Sequence, residues 1–259
     1  MQFKERLVEV LQSGDSEQLT EFLASDEAQE QLPEVWALKT LSDDAGDRHK
    51  DNFAHTVTVV AQTGPDADLV TRLAALLHDI GKPATRRFEG GKVTFHHHEA
   101  TGIRLLRRRF AALGFDDRIT EDVVVTITAA ARAQSYDTDW TDASVRRLRV
   151  DAGENWDRAI RLAHSDVTSR HAEVHRRVHR SVDGLTAHAE YVAAEDARRA
   201  ERPAVNGDQL QAAGIAAGPE LGRILRWVLD ENRAGRLLDP DDALAEVLAH
   251  RDDAEPPWS

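Results

Sequence analysis

The sequence predicts an all-α helical bundle, and two observations support this fold class. Ala, Leu, Val and Arg dominate the 259 residues and aromatic residues make up only 5%, so the core should be aliphatic and helical. Apolar residues recur at helical spacing along most of the chain. One segment differs, because a Glu-Gly-Gly-Lys turn inside residues 86–95 predicts a small hairpin.

The composition limits the chemistry that the chain can perform. There is no cysteine, which excludes disulfides and thiolate metal sites and leaves His, Asp and Glu as metal ligands. The net charge of -13 argues against a surface that binds nucleic acid generally, although local basic patches remain open. The first residues do not resemble a signal peptide and no apolar run reaches membrane-spanning length, so we expect a soluble, cytoplasmic protein without a membrane partner.

Helical patterns and polar breaks predict four parts along the chain. These are a neck-like segment of short amphipathic helices at 1–45, a central domain at 46–201, a C-terminal helical body at 202–251 and a disordered tail at 252–259. In the first part, Pro33 is placed to begin a helix. In the second, a loop is predicted from Gln134 to Trp140. One long helix is predicted to begin at Glu154, with apolar residues near seven-residue spacing.

A histidine and an acid lie side by side at the end of the most apolar predicted helix. The stripe at 69, 70, 73, 76, 77 and 80 faces a core, and Gly81 with Pro83 ends the helix just after His78 and Asp79. A carboxylate beside buried leucines requires a hydrogen bond, a salt bridge or a cation. The simpler interpretation is that His78 caps the last carbonyls of the helix.

Two further residues could complete a metal site with this pair. His55 lies on an apolar face of a helix predicted at 51–62, and Asp166 lies near the stripe of the long helix. Alone, such a histidine is more often a hydrogen-bonded core residue. Together, His55, His78, Asp79 and Asp166 come from three helices that a bundle can bring to one point, and their donors suit Mn²⁺, Mg²⁺, Ni²⁺, Co²⁺ or Fe²⁺. The chain also contains the run His96-His97-His98. Consecutive side chains cannot all face one site, so at most one or two of these histidines take part in a metal site.

These residues resemble a known family. A histidine, then His-Asp, then a distant aspartate is the signature of the HD-domain phosphohydrolases, and the chain looks most like the HD and C-terminal region of bacterial tRNA nucleotidyltransferases (CCA-adding enzymes). The resemblance covers about 32–235, with His78 to Pro83 as its most specific part. It rests on residues 49–51, His55, 73–85, 95–99, 140–142, 145–147, Asp166, 169–170, 218–222 and Leu225.

The resemblance implies an HD-type helical bundle and a phosphohydrolase in which a divalent ion activates water. His78, Asp79, Lys82 and His98 are then expected to be catalytic, with Glu99 near them. Lys82, Arg86 and Arg170 are expected to attract phosphate, although ordinary surface charge explains them equally well. The implied activities are those of a 2′,3′-cyclic phosphodiesterase, a 2′-nucleotidase or a phosphatase on nucleotides or RNA ends, with tRNA as a further partner.

Two departures from the family pattern affect the expected activity. The nucleotidyltransferase head would precede residue 1 and is missing from this sequence, so CCA addition is not expected and the hydrolase should stand alone. Relatives usually carry a histidine where this chain has Ala129, Ala130 and Ala131, which favours one metal ion over two. Two alternatives stay open: the same chemistry on free mono- or dinucleotides, and a non-catalytic RNA-binding or scaffold protein that would bind tRNA without turnover.

Overall fold

A computed structural model of the chain describes residues 2–39, 41, 51–90, 92–169, 171–200, 202–237 and 239–259. It divides into two compact units, Met1–His188 and Ala189–Ser259. The sequence predicted domain boundaries at 45/46 and 201/202. In the structure, the first helices belong to the same compact unit as the central domain. The prediction of an all-α protein with one hairpin is confirmed.

The first unit begins with short helices that the sequence pattern predicted. Asp15 and Ser25 accept hydrogen bonds from backbone N–H groups at the start of the second and third helices, and Pro33 begins the fourth. The helices of this half are α1 (Phe3–Ser13), α2 (Ser16–Ala24), α3 (Asp26–Gln31), α4 (Pro33–Lys39), α5 (Asn52–Gln62) and α6 (Leu69–Leu77).

The second half of this unit contains the hairpin and the longer helices. The hairpin pairs Arg87 with Thr94 and Phe88 with Val93 in antiparallel register. A short 3-10 turn, Gly153–Asn155, precedes α11. The elements are α7 (Lys82–Thr85), β1 (Arg87–Glu89), β2 (Lys92–Thr94), α8 (His98–Leu113), α9 (Asp117–Gln134), α10 (Asp142–Ala152), α11 (Trp156–Ser165) and α12 (Ala172–Ala200), whose last residues belong to the second unit.

Helix α6 lies at the centre of the first unit. Every residue from Val70 to Leu77 is buried, and the helix packs against α1, α5, α9 and α11. Burial of its leucines removes apolar surface from water at about 25 cal/mol per Å², which is the main term that stabilises the bundle. The helix stops at Leu77, and the chain then makes a turn through His78, Asp79, Ile80 and Gly81. His78 and Asp79, which were predicted to lie at the end of a helix, therefore lie directly after the end of α6.

The structure corrects the prediction of one long helix beginning at Glu154. Helix α11 ends at Ser165, and Val167, Thr168 and Ser169 are not helical before α12 begins at Ala172. The apolar spacing was compatible with a continuous helix because both pieces carry buried apolar residues at helical spacing, such as Ala159 and Leu162 in α11 and Val182 and Leu185 in α12. The break has a local cause, since the Ser169 hydroxyl accepts a hydrogen bond from the His171 N–H and so gives the backbone an alternative to helix.

The second unit has its own core. Helices α13 (Gly207–Ala212), α14 (Pro219–Arg233) and α15 (Pro240–His250) follow the end of α12. Ile224, Val228 and Val247 are fully buried together with Trp258, which also contacts Trp227. The prediction of a disordered tail is therefore corrected: an indole near the C-terminus has enough apolar surface to hold the last residues on this core.

Among the described residues, the structure contains no helix with both the length and the apolar character of a membrane span.

Candidate metal centre

His55 is positioned by α5 and by the break after α11. Asp51 begins α5 by accepting hydrogen bonds from the N–H groups of Phe53 and Ala54. His55 lies one turn later and is 4% exposed, so its ring is fixed inside the bundle. Its Nδ1 is 2.7 Å from the Thr168 hydroxyl, which orients the ring so that Nε2 faces the neighbouring acids.

His78 and Asp79 are positioned by the turn that ends α6. Nδ1 of His78 donates a hydrogen bond to the carbonyl oxygen of Ala75 at 2.9 Å, so Nε2 is the ring nitrogen that faces the acids and could bind an ion. Asp79 is 3% exposed, and its Oδ2 accepts a hydrogen bond from Lys82 Nζ at 2.5 Å. The buried carboxylate is thus partly compensated within its own turn.

The three distant segments converge on one point. His55 Nε2 lies 3.0 Å from Asp166 Oδ1 and 3.5 Å from Asp79 Oδ2. His78 Nε2 lies 3.2 Å from the same Asp166 oxygen and 3.3 Å from Asp79 Oδ2. His55, His78 and Asp166 each offer one donor atom, and these three atoms lie within 4.8 Å of one another. Asp79 lies beside them, but its carboxylate also forms an ion pair with Lys82.

The electrostatics of this cluster favour an added positive charge. Burial lowers the pKa of His78, but the carboxylates of Asp79 and Asp166 outweigh it and raise that pKa to about 10. Burial raises the pKa of Asp79 and of Asp166, yet His78 holds both well below their usual range. The two acids thus stay ionised, with protonated His78 as their counter-charge, and a bound cation would take the place of the His78 Nε2 proton.

A divalent ion fits these residues. Nε2 of His78 is buried and has no hydrogen bond of acceptable geometry with any described residue, although two carboxylate oxygens lie within 3.3 Å. Two ligands about 2.1 Å from one ion lie roughly 3.0 to 3.4 Å apart, close to the separations observed here. The donors are imidazole nitrogens and carboxylate oxygens, which suit the ions predicted from the sequence.

A small cleft of about 50 Å³, open to solvent, leads to the cluster. Its apolar lining comprises Ile127, Ala130, Ala131 and Leu162, and His98 and Glu99 also line it. The Asp166 side chain is 24% exposed, so the cluster is accessible from this cleft. Two small side chains of α9, Ala130 and Ala131, therefore leave open space beside the acids.

The other predicted site residues lie at different distances from the cluster. His98 Nε2 is 3.8 Å from Asp79 Oδ1, and Lys82 contacts Asp79 directly. Glu99 lines the cleft and is exposed. Arg86 ends α7 and is not among the described residues that line the cleft. Arg170 lies outside the described residues.

Sequence reasoning missed two residues of the site. Thr168 was inside a predicted helix and carried no signal, because only the break brings it to His55. Gln134 was assigned to a loop, but it is the last residue of α9 and its amide donates to Asp166 Oδ2 at 3.0 Å and to the Ala163 carbonyl at 3.1 Å. A signal existed for Gln134, since it follows Ile127, Ala130 and Ala131 on one helical face.

The comparison with protein families agrees with this geometry. The family model described as "HD domain" matches residues 40–171, which contain the whole cluster. The chain belongs to the HD-domain family, whose members are typically metal-dependent hydrolases.

Two curated relatives give a finer comparison. An A-adding tRNA nucleotidyltransferase of Deinococcus radiodurans is 28% identical over 222 residues, which are 83% of this chain and 50% of that protein. A CC-adding tRNA nucleotidyltransferase of Thermus thermophilus is 29% identical over 226 residues, 85% of this chain and 49% of that protein. The chain spans about half the length of the curated relatives it matches.

Proposed function

We propose that the protein is a metal-dependent phosphohydrolase that cleaves phosphate esters of nucleotides or RNA ends. One observation carries the proposal: two imidazole nitrogens and two carboxylates converge within 3.5 Å at the base of a solvent-accessible cleft. The HD-domain match supports this class of chemistry. The names of the two relatives support tRNA or another RNA as the source of the phosphate.

In this proposal His55, His78, Asp79 and Asp166 hold a divalent ion. A bound ion of this kind lowers the pKa of water and neutralises a phosphoryl oxygen. Lys82 stabilises the ionised state of Asp79 and places a positive charge next to the cluster. Thr168 and the Ala75 carbonyl orient the two imidazoles, and Gln134 orients Asp166.

His98 is the proposed proton carrier of the cleft. Its Nδ1 donates to the Phe95 carbonyl oxygen at 2.9 Å, so its Nε2 carries the lone pair and lies near Asp79. A histidine held in this way can accept or return a proton at the reacting phosphate. Arg86 and Arg170 remain proposed phosphate contacts, and neither is needed for the metal cluster itself.

The proposal is tested by metal content and turnover. Purified wild type is expected to contain about one divalent ion per chain and to hydrolyse at least one of 2′,3′-cyclic AMP, 2′-AMP and an RNA 3′-phosphate. Asp79→Ala is expected to lose metal and to lower kcat/KM about 100-fold or more. His96→Ala is the matched control, because this exposed side chain pairs only with the exposed Glu89 in the contacts seen here.

Two results would overturn the proposal. One is a wild type that holds no metal and matches Asp79→Ala on all three substrates. The other is salt-sensitive tRNA binding without any metal-dependent turnover, which would favour the RNA-binding scaffold instead. Faster turnover of free mono- or dinucleotides than of RNA ends would keep the chemistry and change the substrate.

Removal of the Thr168 hydroxyl is expected to weaken metal binding through His55. Thr168→Val preserves the shape of the side chain and deletes the 2.7 Å contact with Nδ1. Loss of such an orienting contact typically lowers metal affinity about 10-fold to 100-fold, and we expect about 10-fold here. Thr168→Ser keeps the hydroxyl and should bind metal as the wild type does. Equal affinity of the Val and Ser variants would contradict the role of this contact.

A further inference from the structure

The outer face of α12 carries three arginines that the proposed function does not use. Arg176, Arg177 and Arg180 are all exposed, and the first two lie four and three residues before the third. A rise of about 1.5 Å per residue spreads them over roughly 6 Å of the helix, on one face. We call them the α12 arginine patch. Val182 and Leu185 of the same helix are fully buried, so the patch points away from the core and into solvent.

The α12 arginine patch is not neutralised within the described part of the chain. Arg180 Nε donates a hydrogen bond to the carbonyl oxygen of Arg176, which leaves the guanidinium charge without a counter-ion. Of the nearest acids in sequence, Asp183 contacts Nε2 of His164 at 3.3 Å instead. The other, Glu173, is exposed, and among the described residues no ion pair joins it to the patch. Like charges one turn apart disfavour a helix, so folding does not explain these arginines.

Another row of arginines, on α8, shows the usual arrangement in this chain. Arg107 pairs with Glu121 of α9, and Arg109 makes two hydrogen bonds with the buried Glu34 of α4. Both arginines therefore connect α8 to a neighbouring helix. The chain has a net charge of -13, so acids for such pairs are abundant. A cluster of positive charge that stays unpaired in so acidic a chain indicates a negatively charged ligand from outside it.

The α12 arginine patch lies close to the cleft of the candidate metal centre. Next to the patch, Nδ1 of His179 is 2.8 Å from Nδ1 of His164, which lies two residues before Asp166. The Ser181 hydroxyl donates a hydrogen bond to the carbonyl oxygen of Tyr136, just after the end of α9. Asp166 and the end of α9 both line the cleft. The turn of α12 that carries the patch is therefore held beside residues that border the cleft.

We propose that the α12 arginine patch binds the phosphate backbone of a single-stranded RNA whose 3′ end enters the cleft. The inference rests on the proposed function and selects RNA ends over free mononucleotides, because a mononucleotide at the metal has no further phosphate for α12. Guanidinium groups donate paired hydrogen bonds to phosphate oxygens and stay charged at neutral pH. A lipid surface fits less well, since the exposed side chains of residues 172–180 include no aromatic or large apolar group that could insert.

Binding is measured apart from hydrolysis, by fluorescence anisotropy of a short labelled single-stranded RNA with a 3′-phosphate, in chelator. Arg176→Gln/Arg177→Gln is expected to raise Kd about tenfold at low salt and to reduce the slope of log Kd against log salt by about 1.4, since each phosphate contact on a single strand contributes about 0.7. Glutamine is as good a helix former as arginine, so α12 should persist. Arg118→Gln/Arg147→Gln is the matched control, because it removes the same charge from two exposed arginines on α9 and α10. It should bind RNA as the wild type does.

Hydrolysis gives a second readout. The ratio of kcat/KM for an RNA 3′-phosphate to kcat/KM for 2′,3′-cyclic AMP should fall about tenfold in the α12 variant and stay constant in the control. Equal Kd of the wild type and both variants for RNA would overturn the inference, whatever the rates of hydrolysis. Binding of the wild type to phosphatidylglycerol vesicles but not to RNA would overturn it as well. Patch-dependent RNA binding by a protein that hydrolyses none of the substrates would support this inference and overturn the proposed function instead.

Discussion

Replacement of Gly81 by alanine is expected to destabilise the protein by about 3 kcal/mol or more and to reduce hydrolysis. A Cβ at this position would lie 1.9 Å from the His98 carbonyl oxygen and 2.6 Å from the Gly102 backbone nitrogen. Both atoms belong to the backbone at the start of α8, so no side chain can move aside. The turn after Asp79 would have to separate from α8, and His98 would leave Asp79.

The measurement is urea denaturation of Gly81→Ala together with the wild type. Gly102→Ala is the matched control, because it lies on the other side of the same contact but its Cβ would meet its nearest atom, the Gly81 nitrogen, at 3.3 Å. Alanine also favours a helix interior over glycine by about 1 kcal/mol, so this variant should stay within about 1 kcal/mol of the wild type. A Gly81→Ala protein as stable as Gly102→Ala would contradict the expectation.

Arg72→Met is expected to lower the free energy of unfolding by about 3 to 5 kcal/mol. It changes no residue of the candidate metal centre. Arg72 is 3% exposed, and its guanidinium donates to four backbone carbonyls. These belong to Leu11 in α1 and to the segment before α6, namely Gly64, Pro65 and Ala67, at 2.9 to 3.1 Å. A methionine fills similar volume and leaves those carbonyls without this donor.

Thermal and urea unfolding test this prediction. Arg118→Met is the control, because the Arg118 side chain is 82% exposed and its ion pair with Glu154 is long, at 3.9 Å. An exposed pair of this kind contributes about 1 kcal/mol at most, so the control should unfold nearly as the wild type does. Arg72→Lys should recover less than half of the loss, because an ammonium cannot reach four carbonyls with the planar guanidinium geometry. Equal stability of Arg72→Met and Arg118→Met would refute this role for Arg72.

Much of the fold could be predicted from the sequence because the signals that indicate helices and turns come from residues close together in the chain. The α6 stripe and the pairing of the hairpin each depend on neighbouring residues, whereas the predicted stop at Gly81 and Pro83 comes late, because α6 ends at Leu77 and Pro83 lies at the start of α7. The convergence of His55, His78 and Asp166 could be anticipated as well, since each acid or imidazole lay on an apolar stripe that had to face a core.

What the sequence did not reveal depends on contacts between distant segments. The break after Asp166 interrupts a spacing that is compatible with one continuous helix, and the contact that the break allows, between Thr168 and His55, joins residues more than 100 positions apart. The burial of Trp258 likewise depends on α14 and α15. Arg72 was one charged residue in an apolar helix, and nothing nearby in sequence indicated its carbonyl partners.

The two imidazoles of the candidate metal centre acquire their orientation in different ways. His78 is held by the carbonyl of its own helix, so its ring direction survives as long as α6 does. His55 is held by Thr168, on the same short segment as Asp166. A fluctuation that opens this segment therefore releases one ligand and the orientation of another at once, while His78 stays in place. Amide hydrogen exchange of residues 166–169 should consequently slow sharply when the ion binds, more than exchange at the end of α6.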